Sequence, residues 1–540
     1  MMTTPTLLKL TKRERAAIDS YLEDKAATTL PPPPPSRTSS KPSPPPNGDA
    51  TRAALATSKS DALRAALPAF QHRAAILDTI DSHAVTILRG ATGCGKSTQV
   101  PRLIVEALAA RGAAHARVVV CEPRRLAATA LATRVAEETG RPVGGLVGYS
   151  VRGEAKRTPA TAVEYCTTGL VLRRLQEPGA LAGVSHVVVD EVHERSADCD
   201  LLLLFLRRLE GAPKPKIVLM SATVDAAPLK DYFGGNAAVV DVPGRTFPVA
   251  VKFLEDAVRA LPAFDVAIGG AGARAAPRPE ASSLTPARAA AAAAAEAEEA
   301  PLIAALVARL SCEDGAILIF VPGVREIDSL CAALERQPKC VVVPLHGRLS
   351  VAEQARAFRA APAGRTKVVV ATDVAEASVT IPDCTNVIDC GLARSVVGEA
   401  WSARAARRVV TGRVSADAAK QRAGRAGRVR AGTCWRLWCA VEQDALEVAR
   451  PPEMATLPLC GVALRAKSLF GGAVAPLLAA CPAPPPLDRA AAAVRELVEM
   501  GALDEETEAL TPLGAALAAL PTDPAAGRAL LAGAALGVGE

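Results

Sequence analysis

Apolar and polar residues alternate in blocks from Leu67 to Cys439, with short apolar runs separated by longer amphipathic stretches. Short apolar runs bounded by turn residues are typical of buried strands, and the stretches between them are typical of helices. In the first half, the runs predict strands at 84–88, 117–121, 162–166, 184–189 and 216–220. In the second half, they predict strands at 315–321, 340–344, 367–371, 385–389 and 433–438. Strands that alternate with helices indicate two parallel α/β domains.

Three stretches depart from this alternation. Residues 1–66 include the proline run 31–35 and a segment rich in Ser and Pro, a composition that predicts disorder. Residues 255–300 are rich in Gly, Ala, Arg and Pro, which predicts a flexible or partly helical surface insert. After Arg450 the strand signals largely stop, and the pattern becomes helical.

Length and composition indicate the number of domains and the redox environment, but they do not decide the function. A chain of 540 residues is too long to fold around one hydrophobic core. It predicts three or four domains, at roughly 100–200 residues per domain. The net charge of +7 suits a polyanion-binding protein and an ordinary slightly basic protein equally well. The 13 cysteines form no C-x-x-C pair, which favours reduced thiols in an intracellular protein.

Neither membrane insertion nor secretion is predicted. The chain has no charge-free apolar run of about 18 residues, and residues 1–12 lack the apolar core of a secretory signal. Four early acids argue against a transit peptide: Glu14, Asp19, Glu23 and Asp24. We therefore expect the cytoplasm or the nucleus, with organellar targeting left open.

The candidate chemistry centres on Gly90–Ser97, which reads G-x-x-x-x-G-K-S between a predicted strand and a predicted helix. Backbone N–H groups of such a loop surround a triphosphate, aided by the positive end of the helix. Lys96 would reach the β and γ phosphates, and Ser97 would bind Mg²⁺. A glycine-rich turn without a ligand is the alternative. The predicted nucleotide-binding residues here are Gly90, Thr92, Gly93, Cys94, Gly95, Lys96, Ser97 and Thr98.

A second motif, Asp190–His193, follows the apolar run that ends at Val189. Adjacent carboxylates at a strand end are what a phosphate loop needs as its partner. Asp190 would hold Mg²⁺ through water, and Glu191 would orient and deprotonate the attacking water. Metal ligation by His193 is the weaker alternative, because no second histidine lies nearby in the sequence.

Further motifs follow in a fixed order at 122–128, 167–169, 221–223, 243–249, 320–323, 345–347, 371–376 and 421–428. With the first two motifs they resemble the DEAH/RHA family of superfamily 2 helicases. The resemblance implies two tandem RecA-like domains of the P-loop NTPase class, followed by a mostly helical winged-helix region. It also implies an ATP-dependent RNA helicase that uses NTP and Mg²⁺ and moves 3′ to 5′.

The domains implied are a disordered segment 1–66, a first RecA-like domain 67–245, and a second one 246–440 that carries the insert 255–300. A winged-helix-like domain 441–512 and the start of a ratchet-like helical domain 513–540 follow. The family normally continues through a ratchet domain and an OB-fold. The sequence therefore suggests truncation at the C-terminus, either natural or from an incomplete gene model.

The resemblance also assigns site residues. Arg425 and Arg428 are implied as arginine fingers, and their spacing of three at an expected helix start would let both point into one cleft. Gln421 would contact the γ-phosphate or the water. Arg134 and Phe358 would sandwich the base. A solvated basic turn for the arginines, and ordinary surface and core roles for the stacking pair, are the alternatives.

The remaining assignments concern coupling and RNA. The coupling residues implied are His193, Ser221, Thr223 and Asp373. Residues implied to grip RNA through phosphate and ribose are Arg124, Arg125, Thr168, Arg173, Gly323 and Thr380. Expected partners are single-stranded RNA, ribonucleoprotein and a helicase activator protein, with the chain a monomer and no membrane partner.

Three positions depart from the family pattern. Ala91 replaces a Glu, Asp373 replaces an Asn, and Ala416 stands near a common Lys. Together they are expected to tune or weaken coupling. Two alternatives to an RNA helicase stay open on sequence: an RNA-binding scaffold that does not unwind, and action on DNA.

Overall fold

A computed structural model describes residues 64–91, 93–113, 116–177, 179–209, 214–222, 225–244, 247–261, 300–376, 381–397 and 408–536. The predicted disorder within residues 1–63 lies outside this set. So does the predicted insert from 262 to 299. Among the candidate site residues, Thr92, Thr223 and Thr380 also lie outside it.

The first domain is built on one twisted sheet. Its strands are β1 Val85–Gly90, β2 Arg117–Glu122, β3 Val147–Val151, β4 Glu154–Lys156, β5 Val163–Thr167, β6 Val184–Val189, β7 Lys216–Ser221 and β8 Ala238–Val242. Their order is β4-β3-β5-β2-β6-β7-β1-β8, and β4 pairs antiparallel with β3 while the other pairs are parallel. Runs such as Val187–Val189 are fully buried, as expected of a parallel sheet covered on both faces.

The second domain repeats this architecture. Its strands are β9 Val249–Lys252, β10 Ala316–Phe320, β11 Cys340–Leu345, β12 Thr366–Ala371, β13 Cys384–Asp389 and, after a hairpin, β16 Gly432–Arg436. Their order is β11-β12-β10-β13-β16-β9, with all pairs parallel. The hairpin strands β14 Leu392–Val397 and β15 Arg408–Arg413 form a separate antiparallel pair.

Helices cover both sheets and continue beyond them. In the first domain they are α1 Pro68–Gln71, α2 Arg73–Ser82, α3 Lys96–Ala110, α4 Arg125–Glu138, α5 Thr168–Arg174, α6 Ala197–Arg208 and α7 Ala227–Tyr232. In the second they are α8 Leu254–Arg259, α9 (300–310), α10 Val324–Leu334, α11 Val351–Gln354 and α12 Ala416–Ala423. The C-terminal helices are α13 Glu453–Thr456, α14 Cys460–Phe470, α15 Val474–Ala479, α16 Leu487–Glu499, α17 Pro512–Ala519 and α18 Pro524–Ala535.

Two predicted boundaries are wrong. Residues 255–259 belong to α8, whose Leu254, Ala257 and Val258 are buried in the core of the second domain, so the surface insert does not begin at 255. Arg64 was assigned to the disordered segment, yet it is 7% exposed and forms an ion pair with Glu106. In both places, tertiary contacts order residues whose local composition predicts a loop.

The predicted strands all overlap observed ones, but others were missed. The strands without a prediction are β3, β4, β8, β9, β14 and β15. β4 has three residues, and β9 begins just after a proline. Such short or partly exposed segments carry too weak an apolar pattern to stand out, and in the buried β3 Gly148 and Ser150 interrupt the apolar run. Pairing with a neighbouring strand fixes these segments.

The C-terminal helices share a core with the first domain. Phe205 of α6 and Phe470 of α14 lie with ring centroids 6.1 Å apart, and the Tyr232 hydroxyl donates to the Ala480 carbonyl at 3.0 Å. Leu201 and Leu464 belong to one continuous buried cluster. The chain beyond the second domain therefore returns to pack on the first. Within the described ranges, no helix has the length and apolarity needed to cross a bilayer.

Candidate nucleotide-binding site

The phosphate loop lies at the carboxyl end of β1, a central strand of the first sheet. Gly93 and Gly95 have φ values of 87° and 91°, a left-handed conformation that glycine adopts without a steric cost. Gly95 immediately precedes α3, whose N-terminal N–H groups favour an anion. Lys96 donates to the Gly90 carbonyl and, at 3.3 Å, to the Ala91 carbonyl, so its ammonium closes the loop. The loop thus has the geometry of a phosphate cradle.

Acidic side chains from two neighbouring strands face this loop. Asp190 and Glu191 follow β6, and Glu122 ends β2. Burial, followed by the neighbouring Glu191 charge, raises the pKa of Asp190 to about 7, although Ser97 and Lys96 nearby act in the opposite direction. Burial and the charges of Asp190 and Glu191 also raise the pKa of Glu122 well above its usual range. The carboxyl groups therefore form one desolvated cluster beside the loop.

His193 connects this acidic motif to both domains. Its Nδ1 accepts a hydrogen bond from the Ala222 backbone N–H at 3.3 Å and lies 3.5 Å from Glu191 Oε2. Its Nε2 lies 3.2 Å from the Gln421 side-chain amide of the second domain. One imidazole therefore joins Glu191, the end of β7 and the second domain.

The predicted arginines come from the second domain, but not from a helix start. Gln421 lies in the last turn of α12, and Arg425 and Arg428 follow the end of that helix. Burial and mutual repulsion lower the pKa of Arg425, and burial lowers that of Arg428 to about 10, while the Glu191 charge raises both. Two neighbouring desolvated guanidinium groups favour an anion between them, which fits a phosphate group.

Arg422, which follows Gln421 in the same motif, has a structural role. Its side chain is fully buried, and it pairs with Asp389 at 2.8 Å and with Glu376 at 3.1 Å. Its guanidinium also lies 4.9 Å from the Phe320 ring centroid. Burial opposes ionisation of Glu376, but Arg422, Arg450 and Arg124 outweigh it and lower its pKa. Glu376 was not predicted as a site residue, although its carbonyl also accepts from Arg425.

The two residues assigned to the base belong to different domains. Arg134 lies on α4 of the first domain with half of its side chain exposed, and its charge acts on Arg428. Phe358 ends a short 3₁₀ helix after α11 and is partly buried against the core of the second domain. Across the boundary between the domains, α4 contacts α11, the helix that comes just before the Phe358 segment.

The candidate RNA contacts are not equally accessible. Arg125 and Arg173 are exposed, whereas Gly323 is buried close to the Arg394 guanidinium. The Thr168 hydroxyl is buried and donates to the Glu122 carbonyl at 3.2 Å, which does not support it as a direct RNA contact. Arg124 donates to the Asp373 carbonyl across the cleft and lies 3.5 Å from Glu194. Ser221, a coupling candidate, is buried at the end of β7.

A phosphate loop, a carboxylate cluster and arginines delivered from a second parallel sheet define a P-loop NTPase with two tandem RecA-like domains. Comparisons with known proteins agree. Residues 70–232 match the family model described as DEAD/DEAH box helicase, and residues 301–430 match the helicase conserved C-terminal domain. Residues 493–522 match the winged-helix helicase associated domain (HA2), which extends past the predicted boundary at 512.

Individual proteins similar to this chain are DExH-box or DEAH/RHA helicases. The DExH-box ATP-dependent RNA helicase DExH1 of Arabidopsis thaliana is 35% identical over 508 residues, covering 88% of this chain and 51% of the relative. The ATP-dependent DNA/RNA helicase DHX36 of Bos taurus is 35% identical over 522 residues, covering 87% and 50%. The crystal structure of the Escherichia coli DEAH/RHA helicase HrpB aligns with a TM-score of 0.71 at 30% identity, covering 86% of this chain and 54% of that one.

This chain contains a DEAD/DEAH box helicase domain and a helicase conserved C-terminal domain, and it is similar to DExH-box helicases and to a DEAH/RHA helicase. It spans about half the length of these three relatives. The expected fold class, two RecA-like domains followed by a helical region with a winged-helix segment, is confirmed.

Proposed function

We propose that the chain hydrolyses ATP or another NTP in the cleft between its two RecA-like domains, and uses the cycle to move along or remodel RNA in the 3′ to 5′ direction. The observation that carries the proposal is the contact of His193 with Glu191, Ala222 and Gln421. Through these contacts, the His193 side chain can couple changes at the hydrolytic site to the second domain.

Each proposed catalytic residue has a separate task. Lys96 and the loop N–H groups bind the triphosphate, and Glu191 orients water and accepts its proton. Arg425 and Arg428 stabilise the charge that develops on the transferred phosphoryl group. Gln421 contacts the water or the γ-phosphate. Because Glu191 and the arginines come from different domains, closure of the cleft is required for turnover.

Mg²⁺ fits the residues that are present. Asp190 Oδ2 is buried and has no hydrogen-bond donor of acceptable geometry among the described residues, and the Ser97 hydroxyl lies beside this carboxylate. Mg²⁺ prefers one or two such protein oxygens together with phosphate and water. Ser97 and Asp190 would hold the ion, which supplies neutralisation of phosphate charge when bound.

RNA is proposed to lie across both domains. Arg125 and Arg173 are exposed on the first domain, and Arg124 reaches the cleft where it meets Asp373. Contacts of this kind bind phosphates and carry little sequence information. The names of the relatives DExH1 and DHX36 both include RNA, and that of DHX36 also includes DNA, which supports RNA as a substrate. We further propose a monomer that acts in the cytoplasm or the nucleus, with an activator protein that regulates its coupling.

The test is ATP hydrolysis with and without poly(U). Wild-type protein should hydrolyse ATP and be stimulated by poly(U), whereas Glu191→Gln should abolish turnover and retain nucleotide binding. Asp444→Asn, a charge-neutralising change at an exposed position away from the loop, is the control and should behave as wild type. Normal turnover by Glu191→Gln would show that the site is assigned wrongly.

Strand displacement on duplexes with 3′ or 5′ overhangs separates the alternatives. Unwinding from a 3′ overhang supports the proposal. RNA-stimulated hydrolysis without displacement would instead indicate a scaffold that clamps or remodels ribonucleoprotein. Stronger stimulation by poly(dT) than by poly(U) at the same salt concentration would indicate a DNA substrate.

A further inference from the structure

The guanidinium assigned to one face of the base is itself held in place. Arg134 Nε donates to Glu138 Oε1 at 3.0 Å, one turn further along α4. This contact approaches the guanidinium at its edge, and therefore leaves its planar faces free to stack on a ring. Arg134 is 52% exposed, whereas Glu138 is 17% exposed. The acid thus lies beneath the arginine that it orients.

Glu138 also reaches the helix that begins at the phosphate loop. Its second oxygen, Oε2, accepts a hydrogen bond from Gln99 Nε2 at 3.1 Å. Gln99 is completely buried on α3, and its Nε2 also lies 3.1 Å from the Thr98 hydroxyl oxygen. The carboxylate therefore bridges the helix of the stacking candidate and the helix of the triphosphate site.

A third segment fixes the far end of this chain of contacts. Arg64 Nε donates to Gln99 Oε1 at 2.8 Å, and its Nη2 pairs with Glu106 at 2.6 Å. The Arg64 guanidinium lies 4.5 Å from the centroid of the Phe70 ring. Because both groups of the Gln99 amide are engaged, Gln99 has one preferred orientation, and its amide N–H is directed at Glu138.

We propose that Glu138 is a positioning residue for the nucleotide base, linking Arg134 through Gln99 to the phosphate-loop helix. This rests on the proposed function, in which Arg134 stacks on the base. The series of contacts Arg64–Gln99–Glu138–Arg134 fixes the base-binding part of the site relative to the triphosphate-binding part. An ordinary ion pair one turn apart on a helix would affect only helix stability, and by a small amount.

Two ligands separate these readings: ATP and inorganic tripolyphosphate, which lacks the base. Glu138→Gln should weaken ATP binding by about threefold to tenfold, the range expected for a misplaced cation–π contact. Its affinity for tripolyphosphate should stay that of the wild type. In steady-state hydrolysis, KM for ATP should rise while kcat changes little, because a binding contact and not the chemistry is lost.

Glu137→Gln is the matched control, since it removes the same charge from the adjacent exposed position. It should leave both affinities unchanged. In an Arg134→Ala background, Glu138→Gln should lose its effect on ATP binding, because a positioning residue acts only through the residue that it positions. Should Glu138→Gln fold poorly, Glu138→Asp keeps the charge, shortens its reach, and carries the same expectation.

Equal ATP affinities for Glu138→Gln and Glu137→Gln would overturn the inference. So would equal weakening of both ligands by Glu138→Gln, because this would place its effect on the loop and not on the base. These measurements use binding, so they remain informative if the wild-type protein binds ATP without hydrolysing it. That outcome would contradict the proposed function alone.

Discussion

The first RecA-like domain has two interfaces of opposite character. Towards the second domain it presents charged and polar groups, among them Arg124 against Asp373 and His193 against Gln421. Towards the C-terminal helices it presents apolar side chains, such as Phe205 against Phe470. Polar contacts can be exchanged for water or ligand at little net cost, whereas buried apolar surface opposes separation. We therefore expect a cleft that opens and a C-terminal region that moves with the first domain.

The division is not absolute. Leu126, at the start of α4, packs with the core of the second domain, and an Arg465–Asp198 ion pair of 3.0 Å borders the apolar interface. The ion pair changes the character of the apolar interface little, because a partly exposed ion pair contributes little to stability. The interface with the C-terminal helices also contains a buried polar contact, in which Glu453 accepts from the Ala197 backbone N–H at 2.8 Å.

The largest effect is expected from the polar cleft. Arg425→Ala should lower kcat for ATP by about 10³-fold or more, as loss of an arginine finger does in related chemistry. Steady-state hydrolysis with poly(U) measures this, and nucleotide binding should be largely retained. Arg430→Ala, at an exposed position shortly after the motif, is the control. A loss of less than tenfold in kcat would exclude Arg425 from transition-state stabilisation.

The apolar interface should respond in stability and not in catalysis. Leu464→Ala removes a 2% exposed side chain from the core that α14 shares with the first domain, and should cost about 2–5 kcal/mol in free energy of unfolding. Urea denaturation measures this, and kcat of the folded protein should change little. Arg465→Met, which breaks the neighbouring exposed ion pair, should change stability by less than about 1 kcal/mol. Similar small losses for both variants would contradict an apolar interface that holds the C-terminal region.

A smaller effect is expected at Asp373, where the family has Asn. Its Oδ2 lies 3.9 Å from both Arg124 Nη2 and Arg450 Nη1, so its charge competes with RNA phosphate for these arginines. Asp373→Asn should tighten binding of poly(U) by a few fold. The slope of log affinity against log salt should steepen by up to about 0.7, the value for one added phosphate contact to a single strand. Unchanged or weaker RNA binding would argue against this competition.

The sequence predicted the parts of the molecule that local pattern determines. Runs such as Val187–Val189 predicted buried strands, and the phosphate loop and Asp190–His193 lie at strand ends as expected. Arg425 and Arg428 were found by motif, but their position after α12 was missed, although Ser415 caps the start of that helix and Gly424 follows its last residue. The contacts of Arg64 and Glu138 could not be predicted, since each joins segments more than thirty residues apart in the sequence.

The most direct test compares the motions of the two interfaces by energy transfer between dyes. One pair joins Arg141→Cys in the first domain to the exposed native Cys312 in the second. The other joins Arg141→Cys to Glu505→Cys in the C-terminal region, with Cys312→Ser. Cys331, the other incompletely buried thiol, is replaced by Ser in both. A non-hydrolysable ATP analogue with poly(U) should change transfer in the first pair and leave it constant in the second. Equal changes in both pairs would contradict a C-terminal region fixed to the first domain.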